Sequence, residues 1–206
     1  MDRVIQQEWY NTIGTYIDNW KVNTIFFRVK EPYGCLSNMS NEYPLVVNGH
    51  NIANNEALYQ ACRFPDHPEI QQEIIIQRSG IAAKMKSKKY RTEHTRADWD
   101  DVRVDIMRYC IQLKLQQNEK LLGAVLKLTG CTQIVERSSK DNFWGAIWDE
   151  NADAFVGYNV LGKLIMEVRQ QFLDQEIELN DNGAFACQYI TPITFGNFKL
   201  LGENII

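Results

Sequence analysis

Residues 54–64, NNEALYQACRF, decide the fold prediction, because they read as a short helix with two different faces. One face follows the i, i+1, i+4, i+5 spacing of an apolar stripe that packs on a core. Its residues are Ala57, Leu58, Ala61 and Cys62. Glu56, Gln60 and Arg63 recur at i, i+4 and i+7 on the other face, with Tyr59 beside them. We therefore predict a helix with one core-facing side and one polar side.

The polar face of this helix has two interpretations. Asn54 or Asn55 caps the helix, which places Glu56 in the first turn, where the positive end of the helix dipole favours a carboxylate. In the simpler interpretation the face is solvated and carries one ordinary intrahelical pair. In the functional interpretation Glu56 is a fixed carboxylate of an active site.

Composition and charge narrow the class of protein. The chain has 206 residues, of which 45% are hydrophobic and 23% charged, as in an ordinary globular protein with a real core. The net charge of −4 provides no overall positive field that would draw the protein onto nucleic acid or an anionic membrane. A local basic patch can still bind phosphate.

The spacing of cysteine and histidine predicts neither disulfides nor a metal site. The five cysteines are odd in number, widely spaced and free of CxxC motifs, which favours free thiols in a reducing cytosol. His50, His67 and His94 lack ligand spacing, so no metal or cofactor is expected. No apolar run approaches the roughly 20 residues that a bilayer requires, and the N-terminus has no signal-peptide core. We expect a cytoplasmic protein without a membrane partner.

Local patterns predict a mostly helical protein with a few strands. Residues 1–23 carry aromatic and aliphatic residues near helical spacing, which predicts a docked N-terminal helix; a partner-binding extension is the alternative. Strand signals occur at 25–29, at 44–47 before an NGH turn, and at 132–135. Short helices are expected over 68–77, 79–88 and 118–130. The predicted class is α+β, predominantly helical with a small β element.

Two longer helices complete this prediction. Asp98 is expected to cap the first, with Asp101 at the reciprocal position of a capping box. The stripe expected on its buried side is Trp99, Val102, Ile106, Cys110 and Leu113. Asn159 is expected to cap the last core helix, in which Gly162 allows close approach of another backbone. An aromatic-rich loop is expected over 138–149.

Residues 84–91, KMKSKKYR, concentrate five positive charges in eight positions. A solvated face is the ordinary outcome for such a run. Beside a site lined with acceptors, the same run would hold phosphate or diphosphate. The candidate phosphate-binding residues are Lys84 and Lys86, together with Lys88 and Arg91.

Five blocks of the sequence resemble the NADAR family, also called YbiA-like proteins. They are YGCLSN at 33–38, NEALYQACRF at 55–64, ADW at 97–99, IVERSSKDNFWG at 134–145 and GYNVLGKLIMEVR at 157–169. Each block alone is weak evidence for the family, but all five occur in the family's order and spacing, which argues against a chance resemblance. The resemblance implies a YbiA-like single domain at 25–173. An N-terminal helical extension at 1–24 and a C-terminal extension at 174–206, packed on the domain, lie outside it.

The family resemblance implies hydrolysis of an N-glycosidic bond at a ribose C1. Some members split ribosylamino-pyrimidine phosphates of the riboflavin pathway. Others remove ADP-ribose from guanine in nucleic acid, and some of these are antitoxins to DarT-type ADP-ribosyltransferases. The positions that match the family's functional residues are Asn38, Glu56, Trp99, Asp141 and Trp144, with Gln60, Gly145 and Asn159 beside them. No part of this chemistry needs a metal.

Arg63 departs from the family pattern, which often has lysine at this position. A guanidinium stays protonated, so Arg63 cannot replace a lysine that acts as a nucleophile or proton donor. As a contact to phosphate or ribose, arginine would serve. Arg63 is therefore a candidate substrate-binding residue.

The chemistry of the bond suggests roles for the other residues. Cleavage passes through an oxocarbenium-like state, which a carboxylate stabilises while it takes a proton from water. Glu56 is the predicted catalytic carboxylate, held ionised by Arg63, and Asp141 orients the ribose hydroxyls or shares the base role. Trp99 and Trp144 are predicted to stack on the leaving base, although Trp99 fits a core position equally well.

Three functions remain open from the sequence. The first is removal of ADP-ribose from guanine in nucleic acid, favoured because the basic stretch before Trp99 accommodates more than one phosphate; a toxin is then the implied partner. The second is hydrolysis of a ribosyl nucleotide of the riboflavin pathway. The third is a non-catalytic ADP-ribose or nucleotide-binding module, which Arg63 makes credible. Asn38 would read a ribose hydroxyl or merely close a turn.

Overall fold

The computed structural model describes residues 9–182, 190–191 and 193–205 of the chain. Within these ranges helix predominates, and the strands form only small sheets of two or three members. The predicted class, α+β with a small β element, is confirmed.

The secondary-structure elements of the described residues follow in chain order. The strands are β1 (Gly14–Ile17), β2 (Asn23–Phe26), β3 (Leu45–Val47), β4 (His50–Ile52), β5 (Gln133–Glu136), β6 (Ile147–Asp149), β7 (Ala154–Gly157), β8 (Lys199–Leu200) and β9 (Glu203–Asn204). The helices are α1 (Asn55–Ala61), α2 (Pro68–Ile75), α3 (Gly80–Lys88), α4 (Arg91–His94), α5 (Trp99–Gln117), α6 (Glu119–Leu128) and α7 (Val160–Asn182). A single 3-10 turn covers Gly34–Leu36.

The described residues divide into two compact units, each with its own packing. We call them the helical unit and the sheet unit. The helical unit contains residues 38–122, 190–191 and 193–205. The sheet unit contains residues 9–37 and 123–182. In sequence, residues 38–122 are therefore an insertion between β2 and β5.

Helix α1 is the centre of the helical unit, where it packs against α2, α3 and α5. All seven of its residues are buried, including Glu56 at 5% exposure and Gln60 at 3%. The interpretation of its polar side as a solvated face is therefore wrong. The core stripe predicted for α5, from Trp99 to Leu113, is confirmed because each of its members is buried.

The predicted elements around α1 are largely confirmed. Strands β3 and β4 pair antiparallel around Asn48 and Gly49, which both have positive φ angles of 48° and 77°, as the NGH turn requires. The helices predicted at 68–77 and 79–88 are present as α2 and α3, and each is slightly shorter than predicted. The prediction that Asp98 caps α5 is wrong, because its carboxylate accepts from the Arg96 guanidinium at 2.6 and 2.9 Å instead.

The sheet unit contains one antiparallel sheet and one parallel pair of strands. Strands β1, β7 and β6 form a three-stranded antiparallel sheet with β7 in the centre. Strands β2 and β5 pair in parallel, and α7 packs on β5. The buried cluster at its core is Tyr16, Val135, Ala146 and Phe155. Gly162 of α7 lies against the carbonyl oxygen of Ile134, with no room for a Cβ, which confirms the predicted close approach.

The predicted N-terminal helix is wrong from Gly14 onward, and residues 1–8 lie outside the described part of the chain. Residues 14–17 form β1, and β2 begins at Asn23, two residues before the strand expected at 25–29. The apolar residues that suggested a helical stripe do not share a core: Trp20 is 80% exposed and Ile17 50%. Thr15 and Ile17 are β-branched, which favours the strand.

The four cysteines within the described residues are Cys35, Cys62, Cys110 and Cys131, and none of these four forms a disulfide. Cys187 lies outside these residues. In the described part of the chain, no helix is both long enough and apolar enough to cross a bilayer.

Candidate active site

Glu56 is held through its backbone at the beginning of α1. The side-chain oxygen of Asn54 accepts from the backbone N–H of Ala57 at 3.0 Å, which caps the helix as predicted. The backbone N–H of Glu56 donates to the carbonyl oxygen of Asn38 at 3.0 Å. These two contacts fix the direction in which the Glu56 side chain leaves the helix.

The Glu56 carboxylate is buried and has an amide donor. Gln60 Nε2 donates to Glu56 Oε1 at 2.8 Å, one helical turn further along α1. Burial raises the pKa of Glu56, and the Lys84 charge, the Gln60 hydrogen bond, Arg91 and Arg63 oppose that rise in decreasing order. A carboxyl group whose pKa burial moves toward neutrality is suited to accept and release protons.

Arg63 favours the ionised form of Glu56, as predicted, but it is not the main influence. The charge on Arg63 is the weakest of the four influences that favour the ionised form, and Lys84 is the strongest. Arg63 lies over the Trp99 ring instead, with Cζ 4.0 Å from the ring centroid. Burial lowers the pKa of Arg63 to about 10, so its guanidinium stays charged at neutral pH.

Trp99 is buried between helices, with 5% exposure. Its ring lies 5.2 Å from the Tyr59 ring, tilted by 51°, and the Arg63 guanidinium covers it. These contacts agree with a position of Trp99 in the core, one of the two interpretations of this residue from the sequence. Stacking of a substrate base on Trp99 stays a prediction.

Gln60 connects the carboxylate to α3 and α4. The Ser87 hydroxyl donates to Gln60 Oε1 at 2.7 Å, and Arg91 Nη2 donates to the same oxygen at 3.1 Å. Sequence reasoning missed Ser87 and grouped Arg91 with the phosphate-binding lysines. The available signal was the i, i+4 spacing of Ser87 and Arg91, which matches that of Glu56 and Gln60.

The basic stretch on α3 divides into engaged and exposed cations. Lys86 Nζ lies 3.1 Å from Glu73 Oε2 on α2, so this side chain forms an ion pair within the helical unit. Lys84 is exposed, and its charge acts on Glu56. Lys88 is exposed as well. Lys84 therefore combines access to solvent with proximity to the carboxylate, as a phosphate-binding residue must.

Asn38 is buried and its amide has protein partners at both ends. Its Nδ2 donates to Met107 Sδ at 2.9 Å, and its Oδ1 accepts from Asn55 Nδ2 at 2.9 Å. Together with the backbone contact to Glu56, these bonds make Asn38 part of the support of α1. A direct contact of Asn38 with ribose stays a prediction.

The other predicted site residues belong to the sheet unit. Asp141 Oδ1 accepts from the backbone N–H groups of Phe143 and Trp144, each at 3.0 Å, so this carboxylate shapes the aromatic loop. Trp144 is half-buried, with its ring 5.1 Å from that of Phe143. The base role of Asp141 and the stacking role of Trp144 stay predictions.

Gly145 and Asn159 join this loop to α7 and β5. The carbonyl oxygen of Gly145 accepts from the Asn159 N–H at 3.1 Å. A Cβ on Gly145 would lie 2.5 Å from the Glu136 carbonyl oxygen, so only glycine fits there. The Asn159 side chain does not cap α7 as predicted: Oδ1 accepts from Glu136 N–H at 3.0 Å, and Nδ2 donates to the Ile134 carbonyl at 2.8 Å.

The helical unit therefore brings together six of the predicted site residues around one carboxylate. They are Asn38, Glu56, Gln60, Arg63, Lys84 and Trp99. The sheet unit brings together Asp141, Trp144, Gly145 and Asn159. Groups of three or more potential metal ligands are absent from the described residues.

The comparisons with known proteins all indicate the same family. Residues 25–173 match the model of the NADAR domain family. The N-glycosidase YbiA of Escherichia coli is 29% identical over 146 residues, which are 71% of this chain and 86% of that protein. An N-glycosidase of Nostoc punctiforme is 31% identical over 147 residues, which are 71% of this chain and 90% of that protein.

The chain is also similar to a longer protein and to a solved structure. A riboflavin biosynthesis protein of Vibrio vulnificus is 32% identical over 179 residues, or 86% of this chain. The chain spans only 45% of the length of that relative. The NMR structure of E. coli YbiA superposes with a TM-score of 0.63 at 29% identity, covering 76% of this chain and 88% of that one.

Proposed function

The chain belongs to the NADAR domain family, and from that premise we propose that it removes ADP-ribose from guanine bases of nucleic acid. The resemblance of the five sequence blocks to this family is confirmed. Relatives named N-glycosidases support the reaction class: the chain is a hydrolase of N-glycosyl bonds. The guanine-linked substrate, and an antitoxin role toward an ADP-ribosylating toxin, are the finer parts of the proposal.

The observation that carries the reaction is the buried Glu56 carboxylate with its raised pKa and its Gln60 donor. In the ionised form, Glu56 stabilises the positive charge that develops on the ribose ring and accepts a proton from the attacking water. In the protonated form it returns that proton to the departing base nitrogen. One group thus serves both halves of the hydrolysis.

The choice of substrate rests on the cations near Glu56. Lys84 is exposed and electrostatically close to the carboxylate, and Arg63 presents a charged guanidinium on the same side of α1. Two such cations suit the diphosphate of ADP-ribose better than one phosphate group. This supports ADP-ribose over a ribosylamino-pyrimidine monophosphate.

A second candidate substrate has a separate support. The Vibrio relative is named a riboflavin biosynthesis protein, and so is a relative from maize, 28% identical over 176 residues. A ribosylamino-pyrimidine phosphate of that pathway contains the same C1–N bond. The reaction would be unchanged, and only the leaving base and the number of phosphates would differ.

A substrate assay tests the proposal. The protein is incubated with an oligonucleotide that carries ADP-ribose on one guanine, and free ADP-ribose is followed. We expect release by the wild type, and a loss of about 10³-fold in Glu56→Gln, because the amide cannot take a proton. Glu42→Gln, the same change at an exposed position, is the matched control and keeps full activity.

The outcomes separate the candidate functions. Turnover only of a ribosylamino-pyrimidine phosphate would replace the guanine substrate by the second candidate. Tight binding of ADP-ribose without turnover of either substrate would favour a non-catalytic binding module. Full activity in Glu56→Gln would contradict the assignment of the catalytic carboxylate.

A further inference from the structure

The Gln60 amide has one possible orientation. A guanidinium has donors and no acceptor, so the amide atom that faces Arg91 Nη2 at 3.1 Å must be the oxygen. The amide nitrogen must then face Glu56, to which it donates at 2.8 Å. Arg91 therefore determines which end of the Gln60 amide the carboxylate meets.

Ser87 reinforces the same orientation. Its hydroxyl is fully buried and donates to Gln60 Oε1 at 2.7 Å, which is shorter than its 3.0 Å contact with the Lys84 carbonyl oxygen. Its oxygen accepts from Arg91 Nε at 3.3 Å and from Nη2 at 3.1 Å. Arg91, Ser87 and Gln60 thus form one hydrogen-bonded chain that ends at the Glu56 carboxylate.

We propose that Arg91 and Ser87 are positioning residues, which lock the Gln60 amide as a donor to Glu56 and so set the orientation of the carboxylate. This inference rests on the proposed function, in which Glu56 acts on the reacting sugar. It replaces the sequence-based grouping of Arg91 with the phosphate-binding residues, since two donor atoms of Arg91 are already engaged by protein groups.

Groups on α3, α4 and α5, together with Arg63 after the end of α1, interact electrostatically with Glu56. Lys84 of α3, Arg91 of α4 and Arg63 beyond the end of α1 favour the ionised form. On α5, the Glu56 charge adds to the rise of the Cys110 pKa, which burial causes in the first place. Among these groups in the described residues, Arg91 alone also bonds to the amide that bonds to Glu56. Replacement of Arg91 should therefore remove a positive charge that acts on Glu56 and a hydrogen bond that orients the Gln60 amide.

The first experiment is a double-mutant cycle with the assay described above. Arg91→Met is expected to lower kcat by about 10- to 100-fold, the usual effect of losing a partner that supports a functional group. KM should change by less than about 3-fold. In the Gln60→Leu background, Arg91→Met should have less than about a 2-fold further effect, because its action passes through Gln60. A rise in KM that persists in both backgrounds would instead identify Arg91 as a phosphate contact and overturn the inference.

The pH profile gives a readout that a general loss of packing would not move. Arg91→Met removes influences that favour the ionised carboxylate, so the pKa of Glu56 should rise further. The acidic limb of kcat/KM should then shift to higher pH. Arg91→Lys keeps the charge and should restore part of that shift. Arg78→Met removes one exposed cation elsewhere in the helical unit and should leave the limb in place.

The second experiment needs no substrate. The Glu56 carboxylate is titrated by ¹³C NMR in the wild type, in Arg91→Met and in the milder Ser87→Ala, with circular dichroism as the check on folding. An upward shift of the pKa of Glu56 in both variants is expected, and an unchanged titration overturns the inference. A shift in a protein that cleaves none of the substrates would sustain the positioning of Glu56 and reject the proposed function.

Discussion

At Glu56 the backbone, the side chain and the surrounding charges are all set by neighbouring residues. The N–H is bound to Asn38, the carboxylate to Gln60, and the solvent is excluded by the packing of α1. An isolated buried carboxylate would stay protonated, whereas donors and cations here oppose that effect. Burial thus raises the pKa of Glu56 against these influences, and the ionised form carries a cost in folding free energy.

Glu56→Gln is therefore expected to stabilise the protein at neutral pH. The pKa of Glu56 in the folded state lies above its ordinary value of 4.5. The favourable contribution of the buried acid is complete below that ordinary value, and it is lost as pH rises through the raised folded-state pKa. Above the folded-state pKa, the ionised carboxylate destabilises the fold. Replacing it by an amide should raise the free energy of unfolding by about 1 kcal/mol.

Urea unfolding at two pH values measures this effect. The gain from Glu56→Gln should be present at pH 8 and should shrink toward zero at pH 4, where the wild-type carboxyl is protonated in both states. Glu42→Gln should show no such dependence. A loss of stability at pH 8 would mean that the carboxylate forms stronger interactions than an amide in the folded protein.

Trp144→Ala is expected to weaken substrate affinity while the fold is retained. The indole is half-buried in a loop whose backbone Asp141 holds through two hydrogen bonds. Stacking of a base on an indole contributes about 1–3 kcal/mol, so KM should rise by about 10-fold or more. Trp148→Ala, at a 41% exposed indole of β6, is the matched control. Equal kinetic effects of the two changes would argue against stacking by Trp144.

At the scale of elements, the side chain at the start of α7 joins a helix to a strand. Asn159 is fully buried, has a φ angle of 51°, and bonds to two backbone groups of β5. The side chain of a helix cap bonds to a backbone N–H in the first turn of its own helix, whereas the Asn159 side chain bonds to the backbone of β5. Asparagine meets both demands, because it tolerates positive φ angles and carries a donor and an acceptor.

Substitution of Asn159 separates these two contributions to stability. Asn159→Gly keeps the backbone angle but leaves two buried groups of β5 unpaired, which should cost about 2–4 kcal/mol. Asn159→Ala adds the strain of a positive φ angle, a further loss of about 1 kcal/mol. Thermal unfolding of both variants measures the difference. Equal stability of the two would show that the backbone angle relaxes without cost.

At the scale of the whole molecule, the net charge of −4 conceals a local concentration of cations on α3 and just after it. Lys86 is paired with Glu73, and Arg91 is bound to Ser87 and Gln60. The exposed cations of this run are Lys84, Lys88 and Lys89. Under the proposed function, the phosphates of the nucleic acid strand and of its ADP-ribose group would meet these three cations.

The activity on an oligonucleotide should therefore depend on salt. Each phosphate contact with a single strand contributes a slope of about −0.7, so three contacts predict a slope near −2 for log kcat/KM against log salt concentration. Lys88→Met with Lys89→Met should reduce this slope to about −0.7. A slope that is the same for an oligonucleotide and for a ribosylamino-pyrimidine phosphate would contradict a nucleic acid substrate.

Much of the helical unit could be predicted because its signals are local. Asn54 caps α1 through a contact three residues away, the NGH turn needs two positive φ angles, and α5 buries a regular stripe. Predictions failed where a side chain or a segment found its partner outside the helix that was predicted for it. Asp98 bonds to Arg96, Asn159 bonds to β5, and the segment around Tyr16 pairs with β7. None of these partners follows from helical periodicity.

The sequence by itself determined the class of fold, the family and the two-faced character of α1, because spacing and side-chain chemistry are properties of short stretches. It also singled out Glu56 as the candidate carboxylate, a prediction that the Glu56→Gln assay tests. Only the tertiary structure decided that the polar face of α1 is buried and that the pKa of Glu56 is raised. It alone also showed that Arg91 reaches this carboxylate through Gln60. The physical reason is that desolvation and hydrogen bonding depend on which elements pack together, and α1, α3 and α4 meet around Glu56 only in the folded chain.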